Sequence, residues 1–135
     1  MSRSIDNHGI GALYATFGIH KTGENYDLNE THLGQAVVLS GTNEIGLGSD
    51  GVQLLGRLEH VAGGLATVQI QGIVRLPLNS GKTAPSVGNG VVVDGAGKVY
   101  QAPSIAGASG DPAGGNIARG TTIAVNGTGT CDLLL

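Results

Sequence analysis

Leu65-Ala-Thr-Val-Gln-Ile-Gln-Gly-Ile-Val-Arg-Leu76 is the stretch on which the fold turns. Ala66, Val68, Ile70, Val74 and Leu76 share one parity, and Thr67, Gln69, Gln71 and Arg75 share the other. Side chains alternate across a strand, so this pattern predicts one strand with a face on a core and a face in water. Pro77 cannot donate to a ladder and is expected to end it. Just before the stretch, Gly63-Gly64 separates it from an apolar-rich run over 52–61. Two such runs joined by a Gly-Gly dipeptide predict a hairpin. In the earlier run Val52, Leu54 and Leu58 are expected on one face.

Working outward, the same grammar repeats. Residues 35–40 read as a short strand ending at Gly41, and Glu44-Ile-Gly-Leu47 as a brief one. Residues 87–94 and 98–102 read as a hairpin around Asp94-Gly95, where a positive-φ turn is needed. Residues 117–125 and 130–135 read as a third hairpin around Asn126-Gly127. The run from Pro103 to Gly115 is rich in Ser, Ala, Gly and Pro and reads as a surface loop. No long glycine-free segment carries a 3.6-residue period, so no ordinary helix is expected. The 25 glycines follow no Gly-X-Y repeat, which excludes collagen. The fold class expected is all-β, built of short antiparallel strands joined by tight turns.

Residues 1–33 differ in character. They hold His8, His20 and His32, Tyr14 and Tyr26, and the single Phe17. This region is expected to be an N-terminal arm or extended segment with a short strand at 14–19, and residues 34–135 to be the β-rich body. Such an arm either lies across a neighbouring subunit or is a loosely packed tail.

Charge and composition exclude several functions. A net charge of −3 with seven scattered Lys and Arg argues against nucleic-acid binding through counterion release. It also argues against a polybasic membrane patch. No apolar run reaches the ~20 residues of a membrane span, and the N-terminus lacks a signal-peptide core. The protein is therefore expected to work without secretion, and the sequons at Asn29 and Asn126 to be chance matches. Cys131 is the single cysteine, with no neighbouring cation, and reads as a packing thiol.

The apparent catalytic motifs fail on their structural demands. Gly46-Leu-Gly-Ser-Asp-Gly51 matches a dinucleotide fingerprint, but a strand is expected where the helix should begin, and Gln71 stands where the ribose-binding acid belongs. Gly81-Lys82-Thr83 lacks the first glycine of a phosphate loop, because position 76 is Leu, and Pro85 obstructs the helix. The histidines lack metal-ligand spacing, and no serine sits in a nucleophile elbow. A carboxylate pair among Glu44, Asp50, Glu59 and Asp94 has no local feature in its favour. No cofactor, metal or catalytic residue is expected.

Several segments together resemble the bacteriophage head decoration, or capsid cement, proteins. They are Ala36-Val-Val-Leu, Leu47-Gly-Ser-Asp-Gly51, Leu55-Gly-Arg-Leu, Ala66-Thr-Val-Gln, Gly72-Ile-Val-Arg-Leu-Pro77, Pro85-Ser-Val-Gly88, Gly97-Lys-Val99 and Ala118-Arg-Gly120, in order across 34–135. The resemblance implies a small β-barrel or β-tulip-like body. It implies a non-enzymatic virion protein on the capsid exterior, present in the host cytoplasm during assembly. Its partners would be the major capsid protein and copies of itself, as a dimer or trimer. The candidate contacts are Tyr14, Phe17 and Tyr26 in the arm, and Ser109 and Asp111 in the long loop. The alternatives are a carbohydrate- or receptor-binding β module of a phage fibre, for which aromatic residues are scarce, and a small hydrolase, for which no nucleophile is recognisable.

Overall fold

The computed structural model describes residues 5–103, 118–127 and 129–135. Twelve strands are formed among them: β1 Leu13–Ile19, β2 Lys21–Thr22, β3 Asn25–Tyr26, β4 Ala36–Gly41, β5 Glu44–Gly46, β6 Gly56–Ala62, β7 Leu65–Gln71, β8 Ile73–Pro77, β9 Val91–Val93, β10 Val99–Gln101, β11 Thr121–Asn126 and β12 Thr130–Leu134. One 3-10 turn, Glu30–His32, is the sole helical element described. The Asn29 side chain caps it by accepting from the Thr31 amide at 2.9 Å. The chain is all-β, as its composition and periodicity predict.

Five strands close a barrel in the order β1-β5-β4-β6-β7. The β1–β5 pair is parallel, and the other four pairs are antiparallel. Closure removes the free edges that would otherwise invite pairing with other chains. Its interior is filled by Ile19 from β1, Val37 from β4, Ile45 from β5, Leu58 from β6, and Ala66 and Val68 from β7. A second core lies outside the barrel wall, where Ala36 and Val38 meet Val74, Leu76, Val91, Val93, Val99, Cys131 and Leu133. A three-stranded sheet, β11-β12-β8, and the β9–β10 hairpin build this layer. Strand β4 serves both cores. Its alternate side chains point opposite ways, which is why Ala36, Val37 and Val38 are all buried.

The deciding stretch is two strands, not the single one expected. Gly72 breaks it, at φ +93°. The backbone of residues 10 and 11 packs against Gly72 so closely that a Cβ there would lie 2.6 Å from the Gly11 carbonyl. A side chain is excluded on both counts. Before the break, Ala66 and Val68 face the barrel interior; after it, Val74 and Leu76 face the second core. Gln69, expected on the water face, is 1 % exposed. Its amide donates to the carbonyls of Gln71 at 3.1 Å and Ile73 at 3.3 Å, spanning the break. Polar character predicted exposure, but two carbonyls left on either side of Gly72 supply the partners a buried amide requires.

The expected strand over 52–61 is also corrected. Residues 52–55 are irregular, and β6 begins at Gly56. Leu54 goes to the second core and Leu58 to the barrel, so they do not share one face. The reason lies in the crossing at Gly56, which sits against the Gln69 carbonyl with no room for a Cβ. The Gly63-Gly64 hairpin forms as expected. Ala62 pairs with Leu65, and both glycines have positive φ, +57° and +81°. That geometry matches the strand twist and favours glycine at both positions.

Candidate interaction surface

The predicted contact residues fall in different environments. Tyr14 lies opposite Gln69 on the outer wall and is 52 % exposed. Phe17, three residues on, has the opposite parity and packs against the barrel core. The strand expected at 14–19 is thus β1, Leu13–Ile19, and this part of the segment read as an arm is a stave of the barrel. Tyr26 stands on the short β2–β3 hairpin, 46 % exposed, with the Lys21 ammonium 4.9 Å from its ring centroid. Its hydroxyl rests on Gly64 at the β6–β7 turn, where glycine alone leaves room. Ser109 and Asp111, with the rest of the long loop from residue 104, lie outside the described residues. The structure does not bring Tyr14, Phe17 and Tyr26 into one patch.

Sequence reading missed a groove of about 370 Å³ at the end of the barrel, walled by Ile19, Tyr26 and Leu28 on one side and by Val61, Gly63 and Gly64 on the other. Leu65, the first residue of β7 after the turn, is 55 % exposed. A second depression, about 400 Å³, is lined by Leu39, Val52, Leu54, Leu55 and Arg119.

Arg119 is a clamp. Its guanidinium donates to the carbonyls of Ile70 at 2.7 Å, Leu54 at 3.3 Å and Leu55. It thereby ties the segment before β11 to the barrel, while its own backbone pairs with Val91 in both directions. Burial pulls the Arg119 pKa below the usual arginine value. A planar, five-donor group suits a task of this kind, because carbonyls left by irregular backbone need fixed donors.

Three further polar groups fix the surface. Arg75 grips Asp132 through Nε at 2.8 Å and through its second nitrogen at 3.2 Å, and reaches Asp6 at 3.2 Å. The Arg75 bond holds the Asp132 carboxyl below the usual range. Tyr100 donates to Asp50 at 2.8 Å and lowers its pKa, while the Lys82 ammonium lies 5.0 Å from the Tyr100 ring. His20 Nδ1 lies 2.6 Å from Asp27, whose other oxygen accepts from Thr22 at 2.7 Å. Cys131 is fully buried, and burial pushes its thiol up to about 12, so it is a packing residue rather than a nucleophile.

Among the described residues, no group of three or more His, Cys, Asp or Glu is placed to hold a metal ion. No helix among them is long and apolar enough to cross a membrane. Apart from Gly46, the last residue of β5, the matched glycines and Lys82-Thr83 of the two rejected motifs lie in turns and loops, without the helix that would aim backbone N–H groups at an anion. What the described surface offers is shape, aliphatic and aromatic area, and a few fixed charges. Compared with protein-family models and with curated proteins, the chain finds no match.

Proposed function

We propose that this chain is a capsid decoration protein, a structural component that binds the outside of a bacteriophage shell and stabilises the expanded head. The observation that carries this reading is the ordered set of segments from Ala36 to Gly120 that resembles that family, placed on a small closed barrel. Several of these segments fall at positions the fold depends on. Ala36-Val-Val-Leu is the strand shared by both cores, Gly72 is the break between β7 and β8, and Arg119 is the carbonyl clamp. The protein acts by adhesion, without catalysis, and works as a dimer or trimer. A ligand that binds only the assembled lattice stabilises that lattice by mass action.

Cosedimentation tests the reading. Purified protein is mixed with expanded shells of the cognate major capsid protein and, separately, with unassembled subunits. Binding to shells alone, at a fixed number of copies per lattice unit, supports the proposal. Equal affinity for both forms, or for neither, overturns it.

A further inference from the structure

We propose that the base of the β2–β3 hairpin, where it leaves the end of the barrel, is closed by a proton-operated latch formed by His20 and Asp27. His20 is the hinge residue between barrel and hairpin. Its amide donates to the Ile45 carbonyl on β5 at 2.9 Å, and its carbonyl accepts from the Asp27 amide at 2.9 Å. The imidazole then closes the loop from the side, with Nδ1 2.6 Å from Asp27 Oδ2. Thr22, inside the hairpin, occupies Asp27 Oδ1, so both carboxylate oxygens are engaged.

The charges that act on His20 are Asp27 from the hairpin side and Glu44 from the barrel wall, and both are negative. Lys21, the neighbouring cation, is turned over the Tyr26 ring. Glu30 of the 3-10 turn also lines the groove, a further negative charge, while the Gly63-Gly64 turn across it brings no titratable group. Protonated imidazole therefore makes a charge-assisted bond to Asp27, whereas neutral imidazole keeps only the weaker bond of one tautomer. The residues flanking the latch are apolar and buried: Ile19, before His20, and Leu28, after Asp27, are 4 % and 1 % exposed, and both line the groove with Tyr26.

The direction of the effect follows from linkage. The Asp27 bond raises the His20 pKa above 6.5, so the latch is fully closed between 3.8 and 6.5 and loosens as pH rises through the raised value. The Thr22 and His20 bonds lower the Asp27 pKa below 3.8, so at the acid end the latch is lost as pH falls through that lowered value. Both side chains are partly exposed, 43 % and 30 %, which keeps the effect modest.

Nuclear magnetic resonance on the full chain between pH 5 and 9 tests this. The His20 ring reports its own titration, and exchange of the residue 27 amide, corrected for its intrinsic pH dependence, reports hairpin opening. Expected are a His20 midpoint above 6.5 and about a two- to fivefold rise in opening across it. In Asp27→Asn the midpoint should fall, and the rise across it should vanish. A His20 midpoint unchanged in Asp27→Asn overturns the latch. So does opening in the wild type that stays constant through the His20 titration, a result that needs no variant to fold.

Discussion

Arg119 and Asp132 illustrate how single residues hold irregular backbone together here. Three carbonyls converge on the Arg119 guanidinium, and removing it leaves them without their donors. Arg119→Met should lower unfolding free energy by about 2–3 kcal/mol in denaturant titration, because stranded acceptors carry their full desolvation penalty. Asp132, with a side chain 5 % exposed, depends on Arg75 and on Asn126. Its pKa is lowered in the folded state, so its contribution is present above 3.8 and lost as pH falls through the lowered value. Asp132→Asn should therefore cost about 1–2 kcal/mol at pH 7, with the gap closing in strong acid. A gap that persists at pH 2 would assign the loss to packing instead. None of this was legible from sequence. Arg119 reads as an ordinary cation beside a glycine, and Asp132 as a polar residue in a terminal strand, because the acceptors of one and the arginine that holds the other lie about 50 residues or more away.

At the scale of elements, glycine placement decides where strands stop and cross. Gly56 and Gly63 separate two causes. Gly56 faces the Gln69 carbonyl with no space for a methyl group, whereas Gly63 has positive φ but open space around it. Gly56→Ala should destabilise by ~3 kcal/mol or more through forced backbone movement, and Gly63→Ala by only about 1–2 kcal/mol of conformational strain. Thermal unfolding of the two variants ranks them. Strand β1 yields a similar contrast. Phe17→Ala removes a ring packed on the barrel core and should cost ~2–3 kcal/mol, while Tyr14→Ala on the outer wall should stay within ~0.5 kcal/mol. Loss of shell binding by Tyr14→Ala at unchanged stability would assign that tyrosine to the contact surface. The hairpins at Gly63-Gly64, Asp94-Gly95 and Asn126-Gly127 were legible because turn chemistry is local. The break at Gly72 was not, because the cause is the backbone of residues 10 and 11 arriving from a distant part of the chain.

For the whole molecule, the shared strand matters most. β4 gives Val37 to the barrel core and Ala36 and Val38 to the second core, so neither layer retains its packing when the other opens. Calorimetry should record one transition with calorimetric and van't Hoff enthalpies in agreement. Two resolved transitions would mean that the layers unfold separately. In the shell-binding role proposed above, a unit of this kind would resist local opening as one body.

Periodicity, glycine spacing and the scarcity of aromatic residues determined by themselves that this chain makes short strands, tight hairpins and aliphatic cores, since those preferences act between near neighbours. Tertiary structure alone decided that the strands divide between a closed barrel and an outer layer. It also decided that Phe17 turns inward and that Gln69 is buried. Each of these depends on which distant backbone arrives alongside, and a period-two pattern carries the same alternation whichever core lies on its apolar side.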